Sequence, residues 1–415
     1  MLAYSLERLG RIVIELTANC NAMCPGCDRW NKGKGGINSV VEQHLGSIGH
    51  MPFHTFANAI PNELFYEHLS FNTIEFNGSV GDAILHPMFI KFIKLINNKN
   101  EKFRLKNDKV PVAMKLATNA GLHGKEFWTE VGKQFALSGK RNRIMVALDG
   151  TTEETHQQYR RGVSYKKALQ NAIYAIDAGA NVRWQFIEFK HNKHQIQEAI
   201  ELAKKYGFQD IEIRNSRSGN SLYGDWVARQ SESRDKKVDM VKSNAMARPA
   251  TVEKRQKTRV EKKLNMTLNN KVEYRTTEKV KEVIETINQI EDVAKFLDEA
   301  PIHCHWSGHR SINIEFNGTV HPCCHMNRGM FFPNDPESKF YYDVDKLYKP
   351  NWNKLSNHKL KEILNHDYFR KDLQDSWKPD TDPDKKFKRL LVCVETCTRK
   401  LDDAVKDHDE VVETR

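Results

Sequence analysis

Cysteine is missing from the whole middle of this chain: none lies between Cys27 and Cys304. Three stand near the start and five follow residue 300. That placement does not fit the disulfide framework of a small secreted protein. Clustered thiols read instead as metal ligands or reactive groups. Long apolar runs are missing too. The candidates, RIVIEL near the start and Leu390-Leu391-Val392-Cys393-Val394 near the end, are strand-sized, far short of the roughly 20 residues of a membrane span. The N-terminus, MLAYSLERLGR, carries Glu7, Arg8 and Arg11 where a secretory signal would place its apolar core. These absences give the reading of a cytoplasmic protein with no membrane partner. No internal repeat is present, which sets solenoid architectures aside.

What is present is a hydrophilic globular composition. At 415 residues, 39% apolar and 29% charged, the chain can bury one large core, alone or with a smaller one. The net charge of +11 is concentrated. Between residues 228 and 281 sixteen Lys and Arg stand against seven Asp and Glu, a balance of 16 − 7 = +9. Tyr274 is the one aromatic residue in that stretch, so stacking on single-stranded bases has little support. A solvated helical insertion is the favoured reading of this segment, and attraction of phosphates or an acidic peptide is the alternative.

The first half alternates strand-like and helical runs. RIVIEL, NTIEFNG, VAMKLATN, RIMVALDG, VRWQFIEF and DIEIRNS read as strands. HPMFIKFIKLINN and HQIQEAIELAKKYGF read as helices, the second stopped at Gly207. Six such alternations predict an α/β fold with a parallel sheet and right-handed crossovers. In such sheets the chemistry gathers at the C-terminal strand ends. From about residue 221 to 299 the sequence turns charged and helical. INIEFNGTVHPCC then reads as a strand, a glycine turn and a second strand.

Directly after the first strand comes CNAMCPGC, with Cys20, Cys24 and Cys27 in one loop. A closed zinc site wants four ligands, and a dithiol redox centre needs two. Three thiolates suit a metal cluster that keeps one position open for another ligand.

The spacing C-x3-C-x2-C after a first strand resembles the radical S-adenosylmethionine (SAM) enzymes. The resemblance implies a 4Fe–4S cluster on Cys20, Cys24 and Cys27, with SAM on the fourth iron. It implies reductive cleavage of SAM to a 5′-deoxyadenosyl radical that takes hydrogen from the substrate. The likeness continues in chain order. VGDAILHP (Val80 to Pro87) resembles the family's Gly-Gly-Glu-Pro segment, with Gly81 for close approach and Asp82 for the SAM amino group. Thr118-Asn119-Ala120 stands where relatives have Thr-Asn-Gly, which implies Asn119 at the cosubstrate. VALDGTTEETHQQYRRG resembles the stretch that supplies an arginine for the SAM carboxylate, here Arg160. Asp149 reads as structural, holding its strand-to-helix turn. The chain departs from the family at Gly26, normally aromatic, at Val80 and Ala83, normally Gly and Pro, and at Ala147, normally Ser. Fewer adenosine contacts follow, for which Trp30 is a candidate substitute.

The late cysteines resemble the SPASM/twitch ligands. Cys304, Gly318 and Cys323 fit the first half of the motif, Cys393 and Cys397 complete a four-ligand set, and Cys324 is left over. A structural zinc site would have the same ligand count. His303, His305, His321 and His325 lie nearby as further candidate ligands. The resemblance thus implies a partial (β/α)6 TIM-like barrel over 1–220, a basic helical insertion over 221–300 and a small auxiliary-cluster domain over 301–415. It implies two 4Fe–4S clusters, SAM, a reductant such as flavodoxin or ferredoxin, and a peptide or small-molecule substrate. The rival reading is a zinc-stabilised nucleic-acid-binding protein using the basic segment.

Overall fold

The structure, a computed structural model, describes residues 4–25, 27, 29, 49–215, 301–302, 304–327, 351–379, 389–390, 393, 397 and 410–413. The basic segment, Trp30 and His303 lie outside the described residues, as does the side chain of His305.

Period-two alternation builds the sheet. The strands are β1 (Arg11–Ile14), β2 (Thr73–Phe76), β3 (Ala113–Thr118), β4 (Arg143–Ala147), β5 (Val182–Glu188), β6 (Asp210–Asn215), β7 (Ser311–Ile314), β8 (Val320–His321) and β9 (Glu410–Glu413). Their order is β8-β7-β1-β2-β3-β4-β5-β6-β9. The six predicted strands are all present and pair in parallel, each with the next. One face is apolar: Ile12, Ile74, Met114, Ile144, Trp184 and Ile211 are wholly buried. Between the strands run α1 (Phe53–Ala59), α2 (Phe89–Phe103), α3 (Lys125–Ala136), α4 (Glu153–Tyr159), α5 (Tyr165–Asp177) and α6 (Ile196–Lys205). Helix α2 covers the apolar face, with Phe89 edge-on to Phe76 at 5.5 Å between ring centroids. After α6, Gly207 takes φ +77°, the left-handed stop that glycine adopts without strain.

The hairpin read from INIEFNGTVHPCC forms as β7 and β8. It joins the large sheet rather than standing apart, with β7 parallel to β1 in the register Ile12↔Ile312 and Ile14↔Ile314. A two-stranded hairpin is marginal alone, and docking on β1 pairs that strand's open edge while burying Ile312 and Ile314. The chain divides into two compact units. One comprises residues 1–215, 304–376 and 409–415, and the other 216–303 and 377–408. No helix among the described residues is long and apolar enough to cross a membrane.

The β1–β7 register has an energetic consequence. It sets Glu15 beside Glu315, both wholly buried. Ser79 donates to Glu15 Oε1 at 2.7 Å, and His321 Nε2 lies 3.1 Å from Glu315 Oε1. Burial pushes the Glu15 carboxyl up to about 7, and the neighbouring Glu315 pushes the same way. The folded chain therefore keeps a proton that the unfolded chain releases near the ordinary value of 4.5. This stabilisation is complete below about pH 4.5 and is lost as pH rises through about 7. Glu15→Gln should leave stability near wild type at pH 5. At pH 8 it should raise it by on the order of 2 kcal/mol. Urea unfolding at the two pH values checks this; parallel pH dependence in both proteins would refute it.

Candidate functional site

The cysteine loop grows out of the C-terminal end of β1, where Asn19 is fixed by its backbone N–H and its side-chain amide, both donating to Thr17 Oγ1 at 3.0 Å. Cys27 N donates to Cys24 O at 3.1 Å, folding the last part of the loop into a turn. Hydrogen-bond donors surround two of the sulfurs. Cys20 Sγ accepts from Ala22 N at 3.4 Å and faces Asn119 Nδ2 at 3.7 Å. Cys24 Sγ faces Arg160 Nη1 at 3.8 Å. The Cys27 thiol points at Ser79 O, 3.8 Å away.

Burial pushes the Cys20 thiol up to about 12, with further contributions from Asp82, Cys24 and Cys27. The three thiols thus share one electrostatic environment. Burial also raises Cys24, against the opposing pull of Arg160. Such thiols give up their protons on metal binding. Among the described residues no three His, Cys, Asp or Glu side chains converge as ligands of a single ion.

Gly81 fits the close approach expected of it. A Cβ there would lie 1.8 Å from Thr17 O, so only glycine lets the loop after β2 press against the loop after β1. Asp82 N then donates to Asn19 O at 2.8 Å. Arg29, which sequence reasoning passed over, ties the same loops together by donating to Ala18 O and to Val80 O. It lies two residues after Cys27, so its signal was a lone arginine among many.

Asp82 is wholly engaged within the protein. Its Oδ2 accepts from Thr118 Oγ1 at 3.0 Å and from Asn119 N at 2.8 Å, and its Oδ1 accepts from Ile84 N at 3.3 Å. Burial raises its carboxyl, and these donors oppose that rise. In this state Asp82 splices the end of β3 to the loop after β2. Asn119 donates to Asn21 Oδ1 at 2.9 Å and accepts from Gly121 N at 2.7 Å, which brings β3 onto the cysteine loop.

Ala120 has φ +52°, in the left-handed region that favours glycine. A Cβ in the left-handed region costs about 1–2 kcal/mol, partly offset by glycine's larger unfolded-state entropy. Ala120→Gly should therefore raise the unfolding free energy by about 0.5–1 kcal/mol. Denaturant titration tests this, and a loss of stability would contradict it.

Half-buried Arg160 pairs with the wholly buried Asp149 beyond the end of β4, with Arg160 Nε donating to Asp149 Oδ2 at 2.6 Å. Asp149 Oδ1 also accepts from Ile187 N at 2.7 Å, which ties the end of β4 to β5. Burial works against the Arg160 charge, but Asp149 overrides it and keeps the guanidinium protonated. His156 accepts from Asp149 N through Nδ1 at 3.2 Å. Burial, then Arg160, drives its pKa down to about 3, so it is neutral.

Of the late cysteines, Cys304 and Cys323 belong to the first unit and Cys393 and Cys397 to the second. Gly318 turns the β7–β8 hairpin at φ +81°. Cys304 and Cys323, 19 residues apart, both act on the buried Tyr4 hydroxyl, whose pKa is raised first by burial and then by these two thiols. Cys323, Cys393 and Cys397 are buried and Cys324 half-buried. Cys393 and Cys397 each lie in helical backbone. His325 is exposed.

Comparison with known proteins adds the following. Residues 304–398 match the SPASM family model, described as an iron–sulfur cluster-binding domain. No curated protein matches the chain. Among solved structures, anSMEcpe with bound AdoMet and the Cp18Cys peptide is similar at 15% identity and a TM-score of 0.47, covering 96% of this chain and 91% of that one. SuiB of Streptococcus suis is similar at 12% identity and a TM-score of 0.42, covering 88% of this chain and 67% of that one.

Proposed function

We propose that the chain is a radical SAM enzyme with an auxiliary iron–sulfur cluster. The observation that carries the reading is the set of donors aimed at the cysteine loop: Asn119 from the end of β3 and Arg160 from beyond β4 meet the sulfurs of Cys20 and Cys24. Donors of this kind favour the thiolate that metal ligation requires. Cys20, Cys24 and Cys27 would hold a 4Fe–4S cluster, which supplies the electron that splits the sulfonium of SAM into methionine and a 5′-deoxyadenosyl radical. That radical takes a hydrogen atom from a peptide, protein or small-molecule substrate. Gly81 would let backbone approach the cosubstrate, while Asp82 holds the floor of the site through Asn119.

Arg160 keeps its Nε on Asp149, so the remaining nitrogens of the fork are the ones that would meet the SAM carboxylate. Arg160→Lys retains a charge for Asp149 and loses the fork. SAM affinity should fall by roughly 10–100-fold, about 1.5–3 kcal/mol, with iron content unchanged. Unchanged affinity in a binding titration would remove Arg160 from the cosubstrate site. Cys304, Cys323, Cys393 and Cys397 are the ligands we assign to the auxiliary cluster, and flavodoxin or ferredoxin is the class of reductant.

The deciding experiment is anaerobic purification and reconstitution, reduction with dithionite in the presence of SAM, and mass spectrometry for 5′-deoxyadenosine. Iron and sulfide with 5′-deoxyadenosine are expected. Zinc without sulfide, and no SAM cleavage, would overturn the reading in favour of a zinc-stabilised protein.

A further inference from the structure

Strand alternation gives the sheet a second face, and that face is charged. Opposite the apolar rows stand Arg11, Glu75, Lys115, Arg143, Arg183 and Glu212, all half-buried. Three of the cations on this face have counter-charges. Arg11 Nη1 is 3.4 Å from Glu75 Oε2, Arg183 Nη2 is 3.0 Å from Asp210 Oδ2, and Arg214 Nη2 is 2.7 Å from Glu212 Oε1. Those ion pairs use all three carboxylates.

Two cations remain. Lys115 and Arg143 are directly opposite one another in the β3–β4 register. Among the described residues neither forms an ion pair, and Arg143 Nε is buried without a hydrogen-bond partner. Burial draws the Lys115 ammonium down; Glu75 opposes that, while Arg143, Arg11 and Arg183 add to it. Arg143 is lowered by burial and then by Arg183, while Asp210, Glu212 and Glu75 oppose that without forming an ion pair with it. Like charges facing each other across two strands are destabilising, and partial burial weakens the solvent screening that would relieve them. A sheet whose own contacts decided every residue would not keep this pair. An anion seated between the two cations would turn the repulsion into attraction.

We propose that Lys115 and Arg143 form an oxyanion-binding subsite on the charged face and that the substrate carries a carboxylate or phosphate to fill it. The word substrate rests on the enzymatic reading above; the anion site itself does not. Lys115 lies in β3, four residues or about 13 Å of chain before Asn119, which meets the cysteine loop. A substrate anchored there by its anion would extend along the charged face towards Cys20. The charge surplus selects against cationic substrates, because an added positive group would meet the unpaired Lys115 and Arg143. A bidentate guanidinium beside a point-charge ammonium is a donor set suited to an oxyanion.

The test uses the full-length, cluster-loaded protein in anaerobic thermal unfolding. Chloride is replaced by succinate or by inorganic phosphate at constant ionic strength. Wild type should show a saturable rise in Tm with at least one of the two oxyanions. Succinate alone points to a carboxylate, phosphate alone to a phosphate ester, and both to a site that accepts either. Lys115→Gln and Arg143→Gln should each bind the effective anion at least tenfold more weakly. Without anion, each variant should melt at or above the wild-type temperature, because a like-charge contact has been removed. Lys115→Arg, which keeps the charge, should retain the response.

Absence of a saturable effect with both anions in wild type overturns the proposal. So does an unchanged response in both Gln variants. A variant that is destabilised or unfolded without anion shows that the pair serves the scaffold, and overturns it too. Since the readout is unfolding and needs no SAM, loss of this proposal leaves the 5′-deoxyadenosine result standing, and the converse holds equally.

Discussion

On the proposed function, replacing Cys24 with alanine should abolish 5′-deoxyadenosine formation under anaerobic reducing conditions. This is the largest functional effect expected of any single substitution in the chain. Cys24 is the buried member of its triad, and its sulfur faces Arg160 Nη1. Removing it leaves two thiols for a cluster that takes three from the protein and strips the Arg160 fork of its sulfur partner. Cys20 and Cys27 cannot close the gap, since Cys20 is committed towards Asn119 and Cys27 towards the loop after β2. The auxiliary iron should persist, because its proposed ligands all follow residue 300. Iron and sulfide analysis together with mass spectrometry check both halves, and continued 5′-deoxyadenosine formation would sink the assignment of the loop.

The second large effect is on stability. Asp149 is wholly buried, and its side chain accepts from Arg160 Nε and Ile187 N. Asp149→Ala leaves a half-buried guanidinium without its counter-charge and the Ile187 N–H without its acceptor. Breaking one side of a buried pair costs about 3–5 kcal/mol, a large share of a typical domain's stability. Asp149→Asn keeps the shape and an acceptor for Ile187, so it should cost less. Urea unfolding of the cluster-free protein at pH 7 measures both. A cost below about 1 kcal/mol for the alanine variant would show that solvent reaches Arg160 and screens it.

These expectations separate what the chain revealed in one dimension from what it did not. The alternation of RIVIEL and its successors was sufficient for the strands, because a half-buried strand must alternate and a helix cannot. The spacing of Cys20, Cys24 and Cys27 pointed to metal ligation without the fold, since the three thiols lie within one loop. Gly81 was legible as a close-approach position, but its neighbour Thr17 was not, because the contact joins loops that are 64 residues apart. Asp82 was assigned to the cosubstrate from its motif. The fold shows that three protein donors already hold it, a fact about the ends of β2 and β3 together.

The sequence by itself determined the parallel α/β sheet, the cysteine loop at the end of its first strand and the glycine turns, all of which follow from local periodicity, spacing and backbone conformation. Only the tertiary structure decided that the 311–321 hairpin completes the sheet at β1, that Arg29 clamps the loops around the cysteines, and that Lys115 and Arg143 face each other without an ion-pair partner among the described residues. Each of these depends on strand order and register. Register places side chains from distant segments about 5 Å apart, and neither composition nor spacing along the chain encodes which segments those will be.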